Sequence, residues 1–483
     1  MGWLVGVDVG GTFTDFYALD EASGREALHK TPSTPSNPAE AILEGLAALC
    51  AQHDIDTDDI TRLAHGTTVG TNALIQRQGG DVGIITTEGF RDLVEIGRQI
   101  RPRLYDLRTD NPAPLSARQF RFEVRERIGP KGQVLTAVDP DSLAQAIEAV
   151  RASGVEACAV CLLFSFLNDE HEREVGEALQ AALPDLPISL SSSVQPEFRE
   201  YERFSTTLLN TYLQPTVSRY MGVLEQQLST AAPNASVGIN QSSGGLMSVK
   251  RAQQFPIRTA LSGPAAGAVG AIYAAKLSGR PDVVTLDMGG TSADVCLIQD
   301  HEAGTSFSRK VAEFPVRLPM MDINTVGAGG GSIAWFDRDG LLKVGPKSAG
   351  AQPGPACYGQ GGTEPTVTDA NVALGRLSPG GLLGGTMGLD VDAARRSLEP
   401  IAERLGYGIE RSAHGVLGIV TANMVRAIRA VSVERGHDPR NFTLMPFGGA
   451  GALHADMVAR ELGITEILVP AAPGILCAMG LVV

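Results

Sequence analysis

Two stretches far apart in the sequence carry the same unusual combination of acids, glycines and hydroxyl residues. Residues 8–15 read DVGGTFTD and residues 287–294 read DMGGTSAD. Paired glycines let a backbone turn tightly and approach a ligand, and the successive N–H groups of such a turn bind anions. An aspartate at the end of a buried strand can hold Mg²⁺ through water. One copy would also fit an ordinary hairpin turn, but two copies facing each other could hold a polyphosphate from both sides.

A third glycine motif, FGGAG at residues 447–451, leads into an amphipathic pattern. Glycines at the start of a helix permit close approach of a flat or anionic group, although a tight turn before a helix is the simpler alternative. The candidate binding residues of the three motifs are Gly10, Gly11, Thr12, Thr14, Gly289, Gly290, Thr291, Ser292, Gly448, Gly449 and Gly451, and the candidate acids are Asp8, Asp15, Asp287 and Asp294.

Other polar segments are weaker candidates. HGTT at residues 65–68 precedes a helical pattern that includes Asn72, so its N–H groups and hydroxyls could face an anion. His65 could orient a substrate or act as an acid or base, and a structural histidine is an equal alternative. Cys357 and Tyr358 could line a pocket or pack a loop. Residues 98–131 hold nine Arg and Lys against four acids, which could neutralise an acidic substrate, dock a partner or form a solvated face.

The composition argues against several classes of protein. The chain has 483 residues, 43% of them hydrophobic, and a formal net charge of −14, which disfavours nucleic acid or an anionic membrane as the main partner. We find no uninterrupted apolar run of membrane-spanning length and no basic leader, and the six cysteines are scattered, so we expect a cytoplasmic protein. Neither a GxxxxGK[ST] motif nor an early GxGxxG motif is present, which argues against P-loop and dinucleotide sites.

The elements that must position these motifs alternate between strands and helices. Apolar runs flank both Asp-x-Gly-Gly motifs, which predicts a strand–turn–strand unit in each case. Residues 38–53 have the spacing of an amphipathic helix. We expect a layered α/β fold, with one α/β domain over residues 1–195 and a second over residues 196–483.

Three local features complete this expectation. Cys158 and Cys161 form a CxxC inside an apolar run, which predicts a buried strand with the two thiols on opposite faces rather than a redox or metal site. Residues 327–362 are too glycine-rich for regular structure and are expected to form a long loop system over a site. ILVP at residues 467–470 is expected to be a strand.

The order of the glycine motifs is that of the actin-like ATPase superfamily. Within it, the sequence closely resembles the hydantoinase A/5-oxoprolinase family, which includes the β subunit of acetone carboxylase. The resemblance is carried by DVGGTFTD, HGTTVGTNALIQR, GFRDLVEIGRQ, RPRLYDL, LSGPAAGAVGA, LDMGGTSADV, INTVGAGGGSIAW, GPKSAGAQPGPACYGQGGTEPTVTDANVALGRL and FGGAGALHA, which together span residues 8–455.

The resemblance implies a duplicated actin-like ATPase (ribonuclease H-like) fold, with two lobes around an ATP cleft. It implies ATP-dependent opening of a cyclic amide such as a hydantoin or 5-oxoproline, in which the amide oxygen is phosphorylated before water attacks. Family analogy places the phosphates at the two glycine–threonine loops, Mg²⁺ or another divalent metal at Asp8 and Asp287, and the adenosine near residues 448–451. The residues expected to be catalytic are Asp15, His65, Asp287 and Asp294.

The resemblance also implies a hydantoinase B-like partner subunit, an oligomeric enzyme and a further C-terminal domain that this sequence does not contain. Three other functions stay open. They are an ATP-binding β-type subunit of an acetone carboxylase-like enzyme, a stand-alone small-molecule kinase and a non-catalytic nucleotide-binding regulator. The aspartates retained in both loops argue against the regulator.

Overall fold

The computed structural model describes residues 2–34, 37–102, 105–106, 108–382, 385 and 387–483. The strands are β1 Trp3–Val9, β2 Phe13–Asp20, β3 Glu26–Pro32, β4 Ile60–Gly66, β5 Val82–Thr87, β6 Arg121–Val124, β7 Arg127–Ile128, β8 Val134–Thr136, β9 Ala157–Cys161, β10 Ile188–Leu190, β11 Ser236–Asn240, β12 Leu246–Ser248, β13 Val283–Met288, β14 Ala293–Gln299, β15 Glu302–Ala303, β16 Thr305–Ser306, β17 Arg309–Val311, β18 Phe314–Val316, β19 Met320–Met321, β20 Ile323–Val326, β21 Ser332–Phe336, β22 Leu342–Ser348 and β23 Thr443–Phe447. The helices are α1 Pro38–His53, α2 Val69–Ile75, α3 Leu93–Ile96, α4 Pro140–Ser153, α5 Glu170–Ala182, α6 Ser191–Val194, α7 Glu200–Ala231, α8 Val249–Gln254, α9 Ser262–Leu277, α10 Val367–Ala373, α11 Val391–Leu405, α12 Ile409–Val431, α13 Gly451–Leu462 and α14 Leu476–Gly480.

The first sheet is built around the N-terminal Asp-x-Gly-Gly motif. Its strand order is β12-β11-β4-β1-β2-β3, with β1 antiparallel to β2 and parallel to β4. One face packs against α1 and α7 through side chains such as Phe16, Ile42 and Leu224. The predicted hairpin and the helix over residues 38–53 are confirmed. Strands β11 and β12, at residues 236–248, also belong to this sheet, although the first domain was expected to end at residue 195.

The second sheet repeats this arrangement around the second motif. It runs β15-β14-β13-β23, and β20 pairs with the other part of β14. As in the first sheet, the hairpin β13–β14 is antiparallel and its first strand has a parallel neighbour, β23. We call β1–β2 the first hairpin and β13–β14 the second hairpin. Helices α10, α12 and α13 cover one face of the second sheet, with Val284 and Leu286 in the shared core.

Helices α9 and α14 lie between the two sheets. Ala478 and Val482 of the C-terminal segment pack against Leu4 and Tyr17 of the first sheet. On the other side, Leu476 and the alanines of α9 pack against Val283 and other side chains of the second sheet. The crossing of the helices requires glycine, since a β-carbon on Gly480 would lie 1.9 Å from the Ala266 carbonyl oxygen. Both sheets therefore turn one face towards the same pair of helices.

A third sheet, β10-β9-β5-β6, contains the CxxC segment on its strand β9. Cys158 packs in one core cluster with Val124 and Val160, whereas Cys161 packs in another with Phe204. Both thiols are fully buried. The prediction of a core strand with thiols on opposite faces is confirmed.

Three local expectations are wrong or need refinement. The glycine-rich residues 327–362 contain the β21–β22 hairpin, so the region is not entirely loop. ILVP forms only an isolated bridge between Ile467 and Leu444 rather than a strand. By length and composition the segment Ile409–Arg435 would pass as a membrane-spanning helix. In this structure it is a core helix, because Val416, Val420 and Met424 are buried in the second sheet's core.

Candidate functional site

The first hairpin presents its acids and its glycine turn at one end of the first sheet. Asp8 and Asp15 are directly opposite each other across β1 and β2. The Gly10 N–H donates to the Phe13 carbonyl oxygen over 3.0 Å, and the turn leaves Gly11 exposed at its tip. Thr14 is fully buried, unlike the exposed tip, and its hydroxyl lies 3.0 Å from that of Ser33.

The second hairpin has the same register and a similar turn. Asp287 and Asp294 are directly opposite each other, and the Gly289 N–H donates to the Ser292 carbonyl oxygen over 3.0 Å. Gly290 is exposed at the tip. A β-carbon on Gly290 would lie 3.2 Å from the Thr12 hydroxyl oxygen. The two turns therefore face each other, as expected for a pair of loops around one ligand.

A segment of the glycine-rich region lies against the second turn. The N–H of Gly330 donates to the Gly289 carbonyl oxygen over 3.0 Å, and that of Gly331 donates to the Gly290 carbonyl oxygen over 2.7 Å. The Gly330 carbonyl oxygen in turn accepts from the N–H and hydroxyl of Thr368, over 2.8 and 2.9 Å. Sequence reasoning placed this region over a site but did not identify these residues as the support of the second turn.

The four aspartates repel one another. Burial raises the pKa of Asp8 to about 7, with a further contribution from Asp15. Burial likewise raises the pKa of Asp287 to about 8, and Asp294, Asp8 and Asp15 add to the effect. Burial raises the pKa of Asp294 to about 6 against the opposing hydrogen bond from Thr325. Carboxylates that are both desolvated and crowded favour a bound cation.

This donor set fits a magnesium ion that is held mostly by other ligands. Mg²⁺ is commonly bound by one or two carboxylates, with waters and phosphate oxygens completing its coordination. Asp8 and Asp287 lie at the ends of corresponding strands and offer those carboxylates. Within the described part of the chain, no group of three or more His, Cys, Asp or Glu residues could hold a metal ion. A metal bound here would therefore take its further ligands from water or from a bound anion.

The third glycine motif meets the second hairpin. Gly448 has a φ of 76°, and a β-carbon there would lie 2.3 Å from a carboxylate oxygen of Asp287. The Ala450 N–H donates to the Met288 carbonyl oxygen over 2.9 Å, which holds the start of α13 against the end of β13. Gly449 is exposed with open space around its α-carbon. The structure thus brings the three predicted glycine motifs together.

Two side chains at this site were missed by sequence reasoning. The Lys30 ammonium is paired with the Asp15 carboxylate and donates to the Gly474 carbonyl oxygen over 3.2 Å. The Cys477 thiol donates to a carboxylate oxygen of Asp287 over 3.4 Å. No sequence signal singles out either residue, since both are brought to the aspartates by strand and helix packing.

Comparison with known proteins identifies the family of this arrangement. Residues 4–183 match the Hydantoinase/oxoprolinase N-terminal region and residues 203–483 match Hydantoinase/oxoprolinase. The chain belongs to the hydantoinase/oxoprolinase family.

Several curated members of the family are similar over nearly the whole chain. Caprolactamase subunit alpha of Pseudomonas jessenii is 39% identical over 99% of the chain and 70% of the relative. Acetophenone carboxylase gamma subunit of Aromatoleum aromaticum is 36% identical over 99% of the chain and 67% of the relative. 5-oxoprolinase 1 of Arabidopsis thaliana is 34% identical over 98% of the chain, which spans only 41% of that relative.

Two solved structures have the same overall fold. The ATP-dependent caprolactamase of P. jessenii gives a TM-score of 0.86 at 38% identity, over 99% of this chain and 70% of that one. Nucleotide-free acetone carboxylase gives a TM-score of 0.87 at 27% identity, over 100% of this chain and 70% of that one. The expected α/β class is confirmed by these matches.

In this family member, His65 is placed away from the aspartates. It is paired with Val7 across β4 and β1, so it shares the face of Val7 and lies opposite to the face of Asp8. Its Nδ1–H donates to the Val7 carbonyl oxygen over 3.4 Å, and the Tyr220 hydroxyl donates to Nε2 over 2.8 Å. Burial lowers the pKa of His65 to about 4. This environment favours the alternative of a structural histidine over an acid or base.

The rest of the HGTT segment does reach the site. Gly66 is the register partner of Asp8, and a β-carbon on it would lie 2.7 Å from an Asp8 carboxylate oxygen. In the second sheet, Phe447 is the register partner of Asp287 and precedes the FGGAG turn. HGTT is therefore the first sheet's counterpart of FGGAG. Asn72 lies beyond it on α2, where its amide donates to the Thr68 hydroxyl over 3.3 Å.

Cys357 and Tyr358 have the surroundings of packed loop residues. The Cys357 N–H donates to Asp369 over 2.8 Å, and the Ala356 N–H donates to the same carboxylate over 3.2 Å. Burial raises the pKa of the Cys357 thiol, which disfavours a thiolate nucleophile. Burial also raises the pKa of Tyr358 to about 12.

Among the described residues of the basic segment 98–131, ion pairs with the protein's own acids are found for Arg98, Arg118, Arg121 and Arg125. Arg98 pairs with Glu202 over 2.5 Å, and Arg118 pairs with Asp92 over 3.0 Å. Arg103 lies outside the described residues. A cavity of about 640 Å³ adjoins this segment, and its lining contains none of the predicted phosphate-loop residues or aspartates. The cations in these ion pairs are therefore engaged by the protein itself.

Proposed function

We propose that this chain is the ATP-binding subunit of an ATP-dependent cyclic amidohydrolase. The observation that carries the proposal is the pair of facing Asp-x-Gly-Gly hairpins, with Asp8 opposite Asp15 and Asp287 opposite Asp294. Support comes from the similar caprolactamase, whose structure is described as ATP-dependent, and from the similar 5-oxoprolinase. The two related sheets further support the duplicated actin-like ATPase fold expected from the sequence.

In this proposal, the chain binds and orients the phosphates chiefly through its backbone. Gly11 and Gly290 are exposed at the tips of the two turns, and the Thr12 hydroxyl lies against Gly290. We assign the N–H groups of these tips and the hydroxyls of Thr12 and Thr291 to the phosphates. Asp8 and Asp287 would hold Mg²⁺, whose charge would offset that of the phosphates. Asp15 and Asp294 support these acids from the neighbouring strands. Phosphoryl transfer needs mainly positioning and charge neutralisation, for which a backbone-rich site is adequate.

ATP, when bound, would supply a phosphoryl group to the amide oxygen and so make the amide carbon electrophilic. Gly448 lies against Asp287, and the open space at the neighbouring Gly449 is our proposed position for the adenosine. Asp15 and Asp294 remain candidates to accept a proton from the substrate, whereas both nitrogens of His65 are already engaged. We further propose a hydantoinase B-like partner in an oligomeric, cytoplasmic enzyme, because similar proteins are described as the subunits of larger enzymes.

A second candidate function is the corresponding subunit of an acetone carboxylase-like enzyme. The observation that favours it is the TM-score of 0.87 to acetone carboxylase, against 0.86 to caprolactamase. Both functions would use the same phosphate loops on different substrates, so the loops do not discriminate between them.

The test is ADP release from Mg²⁺-ATP, with and without a hydantoinase B-like partner. The panel comprises 5-oxoproline, hydantoin, N-methylhydantoin, caprolactam, and acetone with bicarbonate. Stimulation by one cyclic amide with ring opening supports the amidohydrolase, and stimulation by acetone with bicarbonate supports the second candidate. A stable phosphorylated product without ring opening would indicate a kinase. An Asp287→Ala variant should lose the stimulated turnover, and a folded wild-type protein that binds no ATP would refute the proposal.

A further inference from the structure

The two hairpins differ in what the third strand places opposite their second aspartate. In the first sheet, Asp15 on β2 is the register partner of Lys30 on β3. In the second sheet, Asp294 on β14 is the register partner of Thr325 on β20. The Lys30 ammonium pairs with Asp15, whereas the Thr325 hydroxyl donates to Asp294 over 2.5 Å. Equivalent positions in the two sheets thus carry a cation and a neutral hydroxyl.

Lys30 is placed among the site residues rather than on the outer surface of its strand. Besides Asp15, its ammonium donates to the Gly474 carbonyl oxygen over 3.2 Å and lies 5.1 Å from the centre of the Phe13 ring. Its side chain is 24% exposed, so it reaches solvent at the site. Its charge also acts on Asp8 and opposes the effect of burial on that pKa. The ammonium is therefore within electrostatic reach of both acids of the first hairpin.

The charge of a nucleoside triphosphate makes this cation important. Asp8, Asp15, Asp287 and Asp294 already repel one another, and a triphosphate would add further negative charge. A lysine ammonium has three N–H donors, and two acceptors, Asp15 and Gly474, are described for Lys30. It can therefore donate to a phosphate oxygen while it keeps the Gly474 contact.

We propose that Lys30 binds the terminal phosphate of the nucleotide and makes the site prefer a triphosphate over a diphosphate. The inference rests on the proposed function. The ammonium that pairs with Asp15 would then be shared between that carboxylate and an oxygen of the terminal phosphate.

A purely structural role makes a different prediction. If the ion pair only joins β2 to β3, its removal would lower the stability of the hairpin and weaken the binding of every ligand of the loop to the same extent. A lysine that contacts the terminal phosphate would, when removed, weaken the triphosphate and leave the diphosphate nearly unchanged. The ratio of the two affinities therefore separates the alternatives, and it does not depend on turnover.

The experiment compares the wild-type chain with Lys30→Met and Lys30→Arg. Isothermal titration calorimetry measures the binding of Mg²⁺-ADP and of Mg²⁺ with the non-hydrolysable β,γ-imido analogue of ATP. We expect Lys30→Met to lower the affinity for the ATP analogue by about 10-fold or more, as for loss of a charge-assisted hydrogen bond. The affinity for ADP should fall by no more than about 2-fold. Lys30→Arg, which keeps the charge, should recover part of the lost preference.

Lys343→Met is the matched control, since Lys343 is also a strand lysine paired with an aspartate, Asp337, over 3.5 Å. It should leave both affinities unchanged. Should Lys30→Met fail to fold, Lys30→Gln provides the same comparison. Equal weakening of both nucleotides, or an unchanged ratio, would overturn the inference and leave the proposed function standing. A folded wild-type chain that binds neither nucleotide would overturn both.

Discussion

A substitution at Gly329 tests whether the glycine-rich segment supports the second turn. A β-carbon at this position would lie 2.5 Å from the carbonyl carbon and oxygen of Gly290 and from the Thr291 nitrogen. Non-bonded carbon atoms prefer separations of about 3.5–4.0 Å, so Gly329→Ala requires one backbone to move by about 1 Å. All three contacting atoms belong to the backbone, and no side-chain rotation can relieve the overlap.

The turn itself is expected to move. Gly290 and Thr291 are exposed, whereas Gly330 is held by Thr368. A misplacement of about 1 Å in a positioning group can lower a rate by about 100-fold, which corresponds to about 2.7 kcal/mol. Because the displaced turn is exposed, we expect the free energy of unfolding to fall by less than the roughly 1–3 kcal/mol that is typical of overpacking in a core.

The assay measures kcat/KM for substrate-stimulated ADP release together with the free energy of unfolding in urea. Gly418→Ala is the control, because Gly418 is an exposed glycine of α12 with no atoms near the added β-carbon. It should keep full activity. An activity of Gly329→Ala within about 2-fold of wild type would refute the supporting role of this segment.

Three further predictions concern stability and reactivity. Lowering the pH from 7.5 to 5 should reduce the free energy of unfolding of wild type by about 2 kcal/mol more than that of His65→Phe. The reason is that burial lowers the pKa of His65 to about 4 in the folded protein, against about 6.5 in the unfolded chain, so its contribution to stability is lost as the pH falls below 6.5. Urea titrations at both pH values measure this, and equal losses in the two proteins would contradict it. Gly480→Val should lower the free energy of unfolding by about 1–3 kcal/mol or more, because the added side chain forces α14 away from α9. Calorimetry measures this, and an unchanged melting temperature would contradict the close contact between the two helices. Cys158 and Cys161 should resist thiol alkylation until the protein unfolds, as checked by mass spectrometry, and rapid labelling in the native state would argue against their burial.

The parts of this protein that the sequence predicts well are those with local signals. The hairpins around Asp8 and Asp287 follow from apolar runs interrupted by paired glycines, and α1 follows from helical spacing. The likeness between the two motifs also predicted that the turns would face each other. Such features depend on contiguous residues, so their physical causes can be read along the chain.

Features that depend on pairing between distant strands were not predictable in this way. The side to which His65 points is set by its register with Val7, and no spacing within HGTT reveals that register. The addition of β11 to the first sheet depends in the same way on its pairing with β4. The β21–β22 hairpin was missed because its glycine-rich surroundings hide a short strand pattern.

The difference between the two hairpins illustrates why this limit matters for function. The repeated motif gives two nearly equal backbone turns, and equal turns alone would bind an anion without distinguishing its ends. Phosphoryl transfer needs a difference, because charge moves from the transferred group to the leaving group during the reaction. In our proposal that difference comes from the third strand, where Lys30 faces Asp15 and Thr325 faces Asp294. The motif therefore explains where a polyphosphate would bind, and the residues paired with it from outside the motif explain how its ends would be told apart.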